Sequence, residues 1–229
     1  IVYIYQKNQG ISFARNAGIR VSKGEYFALL DADDQWLPDH LKESVAVMEA
    51  NPGVGVVHSN ITFIRENGEA IETPVRRKEF LSGQVFRNIF LRDADISCPT
   101  VVYRKDCCDK VGLFDEQLSR LGCEDRELWL RIAQHYPFAY IDKVLALYLV
   151  RSSSVSRNME KMIKARMYVV DKFCPPGADN KLRRLALGKI HYELGDIALF
   201  IRNITVDSQE YFRSITYVPW SLWVWVNLL

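Results

Sequence analysis

The residues best suited to chemistry are Asp31, Asp33 and Asp34, three carboxylates within four positions, directly after the apolar run Tyr26–Leu30 (YFALL). Like charges this close repel one another unless a cation or hydrogen-bond donors compensate. Hard oxygen ligands of this kind suit Mg²⁺ or Mn²⁺, usually shared with phosphate oxygens. A buried strand that delivers them strengthens that reading, because open α/β sheets bind ligands beyond the carboxyl ends of their strands. The plainer alternative is that the acids decorate the N-terminus of the next helix, where negative charge is favourable. That accounts for Asp34, close to Pro38, and leaves Asp31 and Asp33 without a role. A second acidic pair, Glu124-Asp125, opens the helical pattern that carries Leu128, Trp129 and Ile132. On residue types alone, two acids capping a helix explain it.

Other chemistry-bearing residues fall back. His40, His58, His135 and His191 are scattered without metal-ligand spacing, and read as surface or hydrogen-bonded core residues. Ser152, Ser153, Ser154 and Ser156 form a loop without the G-x-S-x-G context of a nucleophile elbow. The five cysteines, Cys98, Cys107, Cys108, Cys123 and Cys174, are odd in number and contain no C-x-x-C pair. Reduced, buried thiols are the expectation. Arg76-Arg77-Lys78 reads as a solvated face.

The acids need elements to position them. Ile1–Tyr5 (IVYIY) reads as a strand, and Ser12 as the N-cap of a helix through Ile19 that Ser22-Lys23-Gly24 closes. Tyr26–Leu30 has the continuous apolar pattern of a strand covered on both faces. Pro38 suits the first turn of a helix bearing Leu41, Val45 and Met48, stopped by Asn51-Pro52-Gly53. Val54–Val57 resumes as a buried strand, and Asn67-Gly68 marks a hairpin between Ile61–Ile64 and Ala70–Thr73. Thr100–Tyr103 and Phe138–Val150 read as strands around a helix over Arg126–Gln134. Beyond Asn158, Leu182, Leu185, Ala186, Ile190, Leu194, Ile197 and Ile201 recur at helical spacing. The expectation is an α/β domain over residues 1–158 and a helical region over 159–229.

The chain has 229 residues, 48% hydrophobic and 25% charged, with a formal net charge of +2. That excludes a disordered or collagen-like chain. A net charge this small argues neither for nor against any partner, since nucleic-acid binders usually show a concentrated basic surface, and no nucleic acid is expected. Residue 1 is isoleucine, which reads as a cut through something longer. At the other end, Tyr217–Leu229 (YVPWSLWVWVNLL) is shorter than the roughly 20 apolar residues of a spanning helix. It suits a helix packed on the core, which is preferred, a cut membrane segment, or a peripheral anchor through Trp220, Trp223 and Trp225.

Three blocks carry a family resemblance: NQGISFARNAGIRVSKGEYFALLDADDQWLPDHL (Asn8–Leu41), VGLFDEQLSRLGCEDRELWLR (Val111–Arg131) and YLVRSSSVSRN (Tyr148–Asn158). In order and separation they resemble the family-two glycosyltransferases of GT-A fold. The resemblance implies a Rossmann-like, mixed but mainly parallel sheet flanked by helices, followed here by the C-terminal helical extension. It implies an inverting transfer from a nucleotide-diphosphate sugar, frequently a UDP-sugar, to a glycan or lipid-linked acceptor. It places Asp31 and Asp33 in the D-x-D motif that contacts the donor and binds Mn²⁺ or Mg²⁺, Arg15 beside the donor nucleotide, and Asp125 as the catalytic base. Family habit also implies work on the cytoplasmic side, at the inner face of the membrane, in building a polysaccharide. The chemistry is coherent, since a single displacement needs one base and no covalent nucleophile.

Two departures accompany the resemblance. The family's first strand, helix and second strand have no counterpart before Ile1. Where Y-R-x-H is common, this chain has Tyr148-Leu149-Val150-Arg151, and arginine holds phosphate but ligates no metal. A sugar-phosphate nucleotidyltransferase is the rival enzyme, though no Gly-rich phosphate loop is visible. A non-catalytic remnant of the fold that acts as a binding module is the other.

Overall fold

The computed structural model describes residues 1–71, 81–151, 158–177, 181–200, 209–210, 213–214 and 216–217. The serine loop, Arg76-Arg77-Lys78 and the three tail tryptophans lie outside the described residues. The chain forms two compact units, Ile1–Met162 and Ile163–Leu229.

The first unit is a mixed sheet flanked by helices. Its strands are β1 (Tyr26–Ala28), β2 (Gln35–Trp36), β3 (Val56–Arg65), β4 (Ala70–Ile71), β5 (Val101–Arg104) and β6 (Phe138–Val150), in the order β1-β5-β3-β6-β2 with β4 on β3. The helices are α1 (Ile11–Val21), α2 (His40–Ala50), α3 (Phe86–Phe90), α4 (Lys105–Val111), α5 (Glu124–Ala133) and the start of α6 (Met159–Phe173). The sheet is less parallel than expected. Among the described residues only β3 and β6 run parallel, over ten residue pairs with a bulge at Ser59–Ile61, while the other pairings are antiparallel. A continuous apolar run signals burial but carries no direction. Tyr26–Leu30 illustrates this: β1 keeps three residues at the sheet edge, antiparallel to β5, and Leu30 is exposed. Ile1–Tyr5 joins no ladder and its side chains are largely exposed, since β-propensity without a paired neighbour makes no strand.

The core lies between the sheet and α5. Val56, Val101 and Tyr103 are fully buried from the sheet side, and Leu128, Leu130 and Ile132 from the helix, while Val57 packs with Met48, Ile141 and Leu145 on the opposite face of the sheet. Trp129 packs edge-on against Tyr103 at 5.5 Å and against Phe114 at 6.5 Å. Arg131 anchors the far end of α5: its Nε and Nη2 both donate to buried Glu127 at 2.7 Å, and Nη2 also reaches the Leu113 carbonyl at 2.7 Å. The hairpin forms as read, with Gly68 in the left-handed region and Arg65 N–H donating to the Glu69 carbonyl at 2.8 Å.

Helix α1 starts differently from the sequence reading. Gly10 is its N-cap, at φ +100°, and Ser12 lies inside the helix. Ser119 provides the external cap: Ile11 N–H donates to its carbonyl at 3.2 Å and Ser12 N–H to its Oγ at 3.1 Å. A Cβ on Gly10 would stand 2.4 Å from that carbonyl, so only glycine lets α1 approach.

The second unit holds the rest of α6 and α7 (Lys181–Phe200). Arg166 pairs with Glu193 at 2.6 Å, and Arg183 with Asp171 at 2.7 Å. Glu210 accepts from His191 and Arg213 at 2.6 and 2.7 Å. Among the described residues, no helix is long and apolar enough to cross a membrane.

Candidate active site

Three segments of the first unit converge on one open cleft of about 1120 Å³, lined among others by Arg15, Asp31, Asp33, Glu124, Asp125 and Arg151. The acidic turn after β1 divides its carboxylates among different partners. Asp34 is buried, and its Oδ1 accepts the Leu149 N–H of β6 at 3.1 Å. It pins the turn to the sheet, not to the helix N-terminus suggested by its closeness to Pro38. Burial, followed by repulsion from Asp31 and Asp33, raises its pKa to about 6 against the pull of that N–H. Asp33 stays partly exposed, 3.7 Å from Arg151 Nε. Asp31 receives Arg15 Nη2 on both oxygens, at 3.0 and 2.9 Å.

Arg15 is the hub. Its side chain is 8% exposed, its guanidinium lies 5.3 Å from the Phe114 ring centre, and Nη1 donates to Glu124 at 2.8 Å. One buried cation thereby joins the acidic turn to the start of α5, across 109 residues of sequence. Burial opposes its charge, but the acids around it prevail and hold the guanidinium ionised. Asn16, the next residue, fixes the helix that carries it. Its amide donates to the Phe114 carbonyl at 3.0 Å and to Glu116 at 3.1 Å, and accepts the Phe114 N–H at 2.9 Å.

Cys123, in the left-handed conformation, leads into α5. Glu124 is buried and turned to Arg15, whereas Asp125 lines the cleft with its Oδ1 accepting the Arg126 N–H at 2.7 Å. Burial raises the pKa of both. For Glu124, burial and the Asp125 charge outweigh Arg15 and carry it to about 7. For Asp125 the direction is upward against the pull of Arg15 and Arg126. The two acids thus differ: one is consumed by an ion pair, and the other faces the open cleft.

Sequence reasoning placed Arg15, Asp31, Asp33 and Asp125 together, and the cleft holds all four. It missed the ion pair of Glu124, which no spacing rule signals, and the anchoring roles of Asn16 and Ser119. The Gly10-x-Ser12 start of α1 hints at a special entry, but its partner lies more than 100 positions away. His40, His58 and His135 of the first unit do not line the cleft. His40 stacks on Trp36 at 4.9 Å with its pKa lowered by burial to about 4, and His58 Nε2 meets the Leu81 carbonyl at 2.8 Å. All five cysteines are buried thiols outside any disulfide, and burial raises Cys123 to about 11 and Cys107 to about 12.

Among the described residues, no group of three or more His, Cys, Asp or Glu side chains is arranged to hold a metal ion by itself. The donor set still fits a hard divalent cation that takes one or two carboxylates and completes its shell with phosphate oxygens and water. Asp33 is the carboxylate best exposed for this, while both oxygens of Asp31 already accept from Arg15.

The mixed sheet flanked by helices has the GT-A fold of the solved glycosyltransferases it superposes on. Residues 1–112 match the family model of glycosyl transferase family 2. The chain is similar over 202 residues, at 28% identity, to the Escherichia coli UDP-Glc:alpha-D-GlcNAc-diphosphoundecaprenol beta-1,3-glucosyltransferase WfgD, covering 87% of this chain and 71% of that protein. It is also similar to a glycosyltransferase of Methanocaldococcus jannaschii, at 29% identity over 71% of this chain and 54% of that protein. Rickettsial relatives are longer still, so that the chain spans 23% of one from Rickettsia felis and 38% of one from Rickettsia conorii. Among solved structures, Staphylococcus aureus TarS residues 1–349 superposes with a TM-score of 0.54 at 17% identity, over 94% of this chain and 63% of that one. The Pyrobaculum calidifontis mannosyltransferase PcManGT, solved with GDP-Man and Mn²⁺, gives 0.53 at 16% identity, over 93% and 68%.

Proposed function

We propose that the protein is an inverting glycosyltransferase that moves a sugar from a nucleotide-diphosphate donor, a UDP-sugar, to a hydroxyl of a glycan or lipid-linked acceptor. The observation that carries this is the single cleft lined by Asp31, Asp33 and Asp125, with buried Arg15 bonded to both Asp31 and Glu124. WfgD, whose name states a UDP-Glc donor and a diphosphoundecaprenol-linked acceptor, supports the donor and acceptor classes. The work is assigned to the cytoplasmic side, where such acceptors meet nucleotide sugars.

Asp125 is the general base. Its raised pKa makes it a stronger base than an ordinary carboxylate while leaving it ionised at higher pH. It takes the proton of the acceptor hydroxyl as that oxygen bonds the anomeric carbon and the bond to the nucleoside diphosphate breaks, inverting the centre. Asp33, with Asp31 beside it, would hold Mn²⁺ or Mg²⁺, which when bound offsets charge on the departing diphosphate. Arg151, beside Asp33, is placed to hold a diphosphate oxygen. Arg15 is too buried to grip the nucleotide alone, and through its two terminal nitrogens it sets the position of Asp31 and Glu124.

Thermal denaturation of the full-length protein tests the donor side. UDP with Mn²⁺ should raise the melting temperature, and Asp33→Ala should remove the rise. If no nucleoside diphosphate shifts the curve with any divalent metal, the transferase reading fails.

A further inference from the structure

The cleft has a basic corner to which donor binding assigns no role. Arg92 and Arg126 both donate to Asp95, Arg92 to Oδ2 at 3.2 Å and Arg126 to Oδ1. One carboxylate therefore draws two guanidiniums, from just beyond α3 and from the first turn of α5, to a single point. All three side chains line the cleft with Asp125. Together they sum to one positive charge. Arg92 is held there by a left-handed backbone, φ 59°, which a long side chain seldom adopts. Asp95 is the most exposed of the three, at 55% against 27% for Arg92 and 16% for Arg126.

We propose that Arg92 and Arg126 form a phosphate-binding site for the acceptor, so that the acceptor class is a phosphate or diphosphate ester, such as a lipid-diphosphate-linked sugar. The inference rests on the glycosyltransferase reading and specifies its acceptor. A diphosphate ester brings two negative charges and several acceptor oxygens where one carboxylate brings one charge and two oxygens, so it makes the stronger charge-assisted bonds to two guanidiniums, in the same forked geometry. Asp95 occupies the place of that anion and, being largely exposed, can yield it by turning to solvent. The acceptor hydroxyl must reach Asp125, and Arg126 is the next residue. A phosphate carried about one sugar away from the reacting hydroxyl therefore falls within reach of this corner, whereas the donor diphosphate belongs at Asp33 and Arg151.

Calorimetry on the full-length protein tests the site, with geranyl diphosphate as the probe and geraniol as its uncharged control. With UDP and Mn²⁺ saturating, the wild type should bind geranyl diphosphate and ignore geraniol. Arg92→Gln and Arg126→Gln should each weaken that binding at least tenfold while UDP affinity stays within twofold, which also shows that the variants fold. Asp95→Asn, which removes the competing anion, should strengthen it severalfold. Geranyl diphosphate that competes with UDP, that binds both arginine variants as it binds the wild type, or that does not bind at all overturns the proposal. Failure of UDP itself to bind is read in a separate titration, and it overturns the donor reading together with this one.

Discussion

Nη2 of Arg15 donates to both carboxylate oxygens of Asp31, at 3.0 and 2.9 Å, from a side chain that is 8% exposed. Through its other terminal nitrogen the same guanidinium holds Glu124. The acidic turn and the start of α5 are thus one electrostatic unit, and a charge change at either end is felt at the other.

Replacing Arg15 should therefore do more than weaken a donor contact. Arg15→Met leaves Glu124 buried without its cation, and removing one partner of a buried pair costs about 3 kcal/mol. Urea denaturation of the variant should show a loss of that order. A loss below about 1 kcal/mol would mean that the ion pairs do not form in solution.

Asn16 should prove structural. It makes three hydrogen bonds that tie α1 to Phe114 and Glu116, and it is 1% exposed. Asn16→Ala leaves the Phe114 N–H and carbonyl without partners, at a cost of roughly 2 kcal/mol. Asn16→Asp should be worse, because it loses both donors and faces Glu116. Denaturation midpoints rank the three proteins, and Asn16→Asp as stable as wild type would contradict this role.

The burial of Asp125 and Glu124 has a signature in pH. Asp125 must be ionised to accept a proton, and its pKa is raised, so the rate should fall on acidification at a higher pH than the ordinary carboxylate value of about 4. Glu124, carried to about 7, titrates with it, so the limb belongs to the pair. Glu124→Gln removes a neighbouring negative charge and should move the limb to lower pH. A limb at the ordinary carboxylate position in the wild type, or one that Glu124→Gln leaves in place, would contradict the assignment.

Much of this architecture was legible in the residues. The β6 strand over Phe138–Val150 and the Asn67-Gly68 hairpin follow from β-branched and aromatic runs and from turn chemistry, both local signals. Strand direction was not legible, because Tyr26–Leu30 looks the same to a parallel or an antiparallel neighbour. The cap of α1 was misread for a related reason: Ser12 has the right residue type, but the oxygen that caps the helix belongs to Ser119. The acidic residues of the site announced themselves by clustering. Their division of labour did not, since it depends on Leu149, Arg15 and Arg151, which reach the acids from distant points of the chain.

The assignment of Asp125 as base stands or falls on Asp125→Asn, which keeps an oxygen to accept the Arg126 N–H but cannot take a proton. The rate of UDP release should be measured in the presence of acceptor, with the UDP-sugar that the wild type consumes, alongside the UDP-dependent melting shift. The expected result is a rate at least ~100-fold lower with the melting shift intact. Turnover within tenfold of wild type, or loss of the UDP shift, would contradict Asp125 as the base.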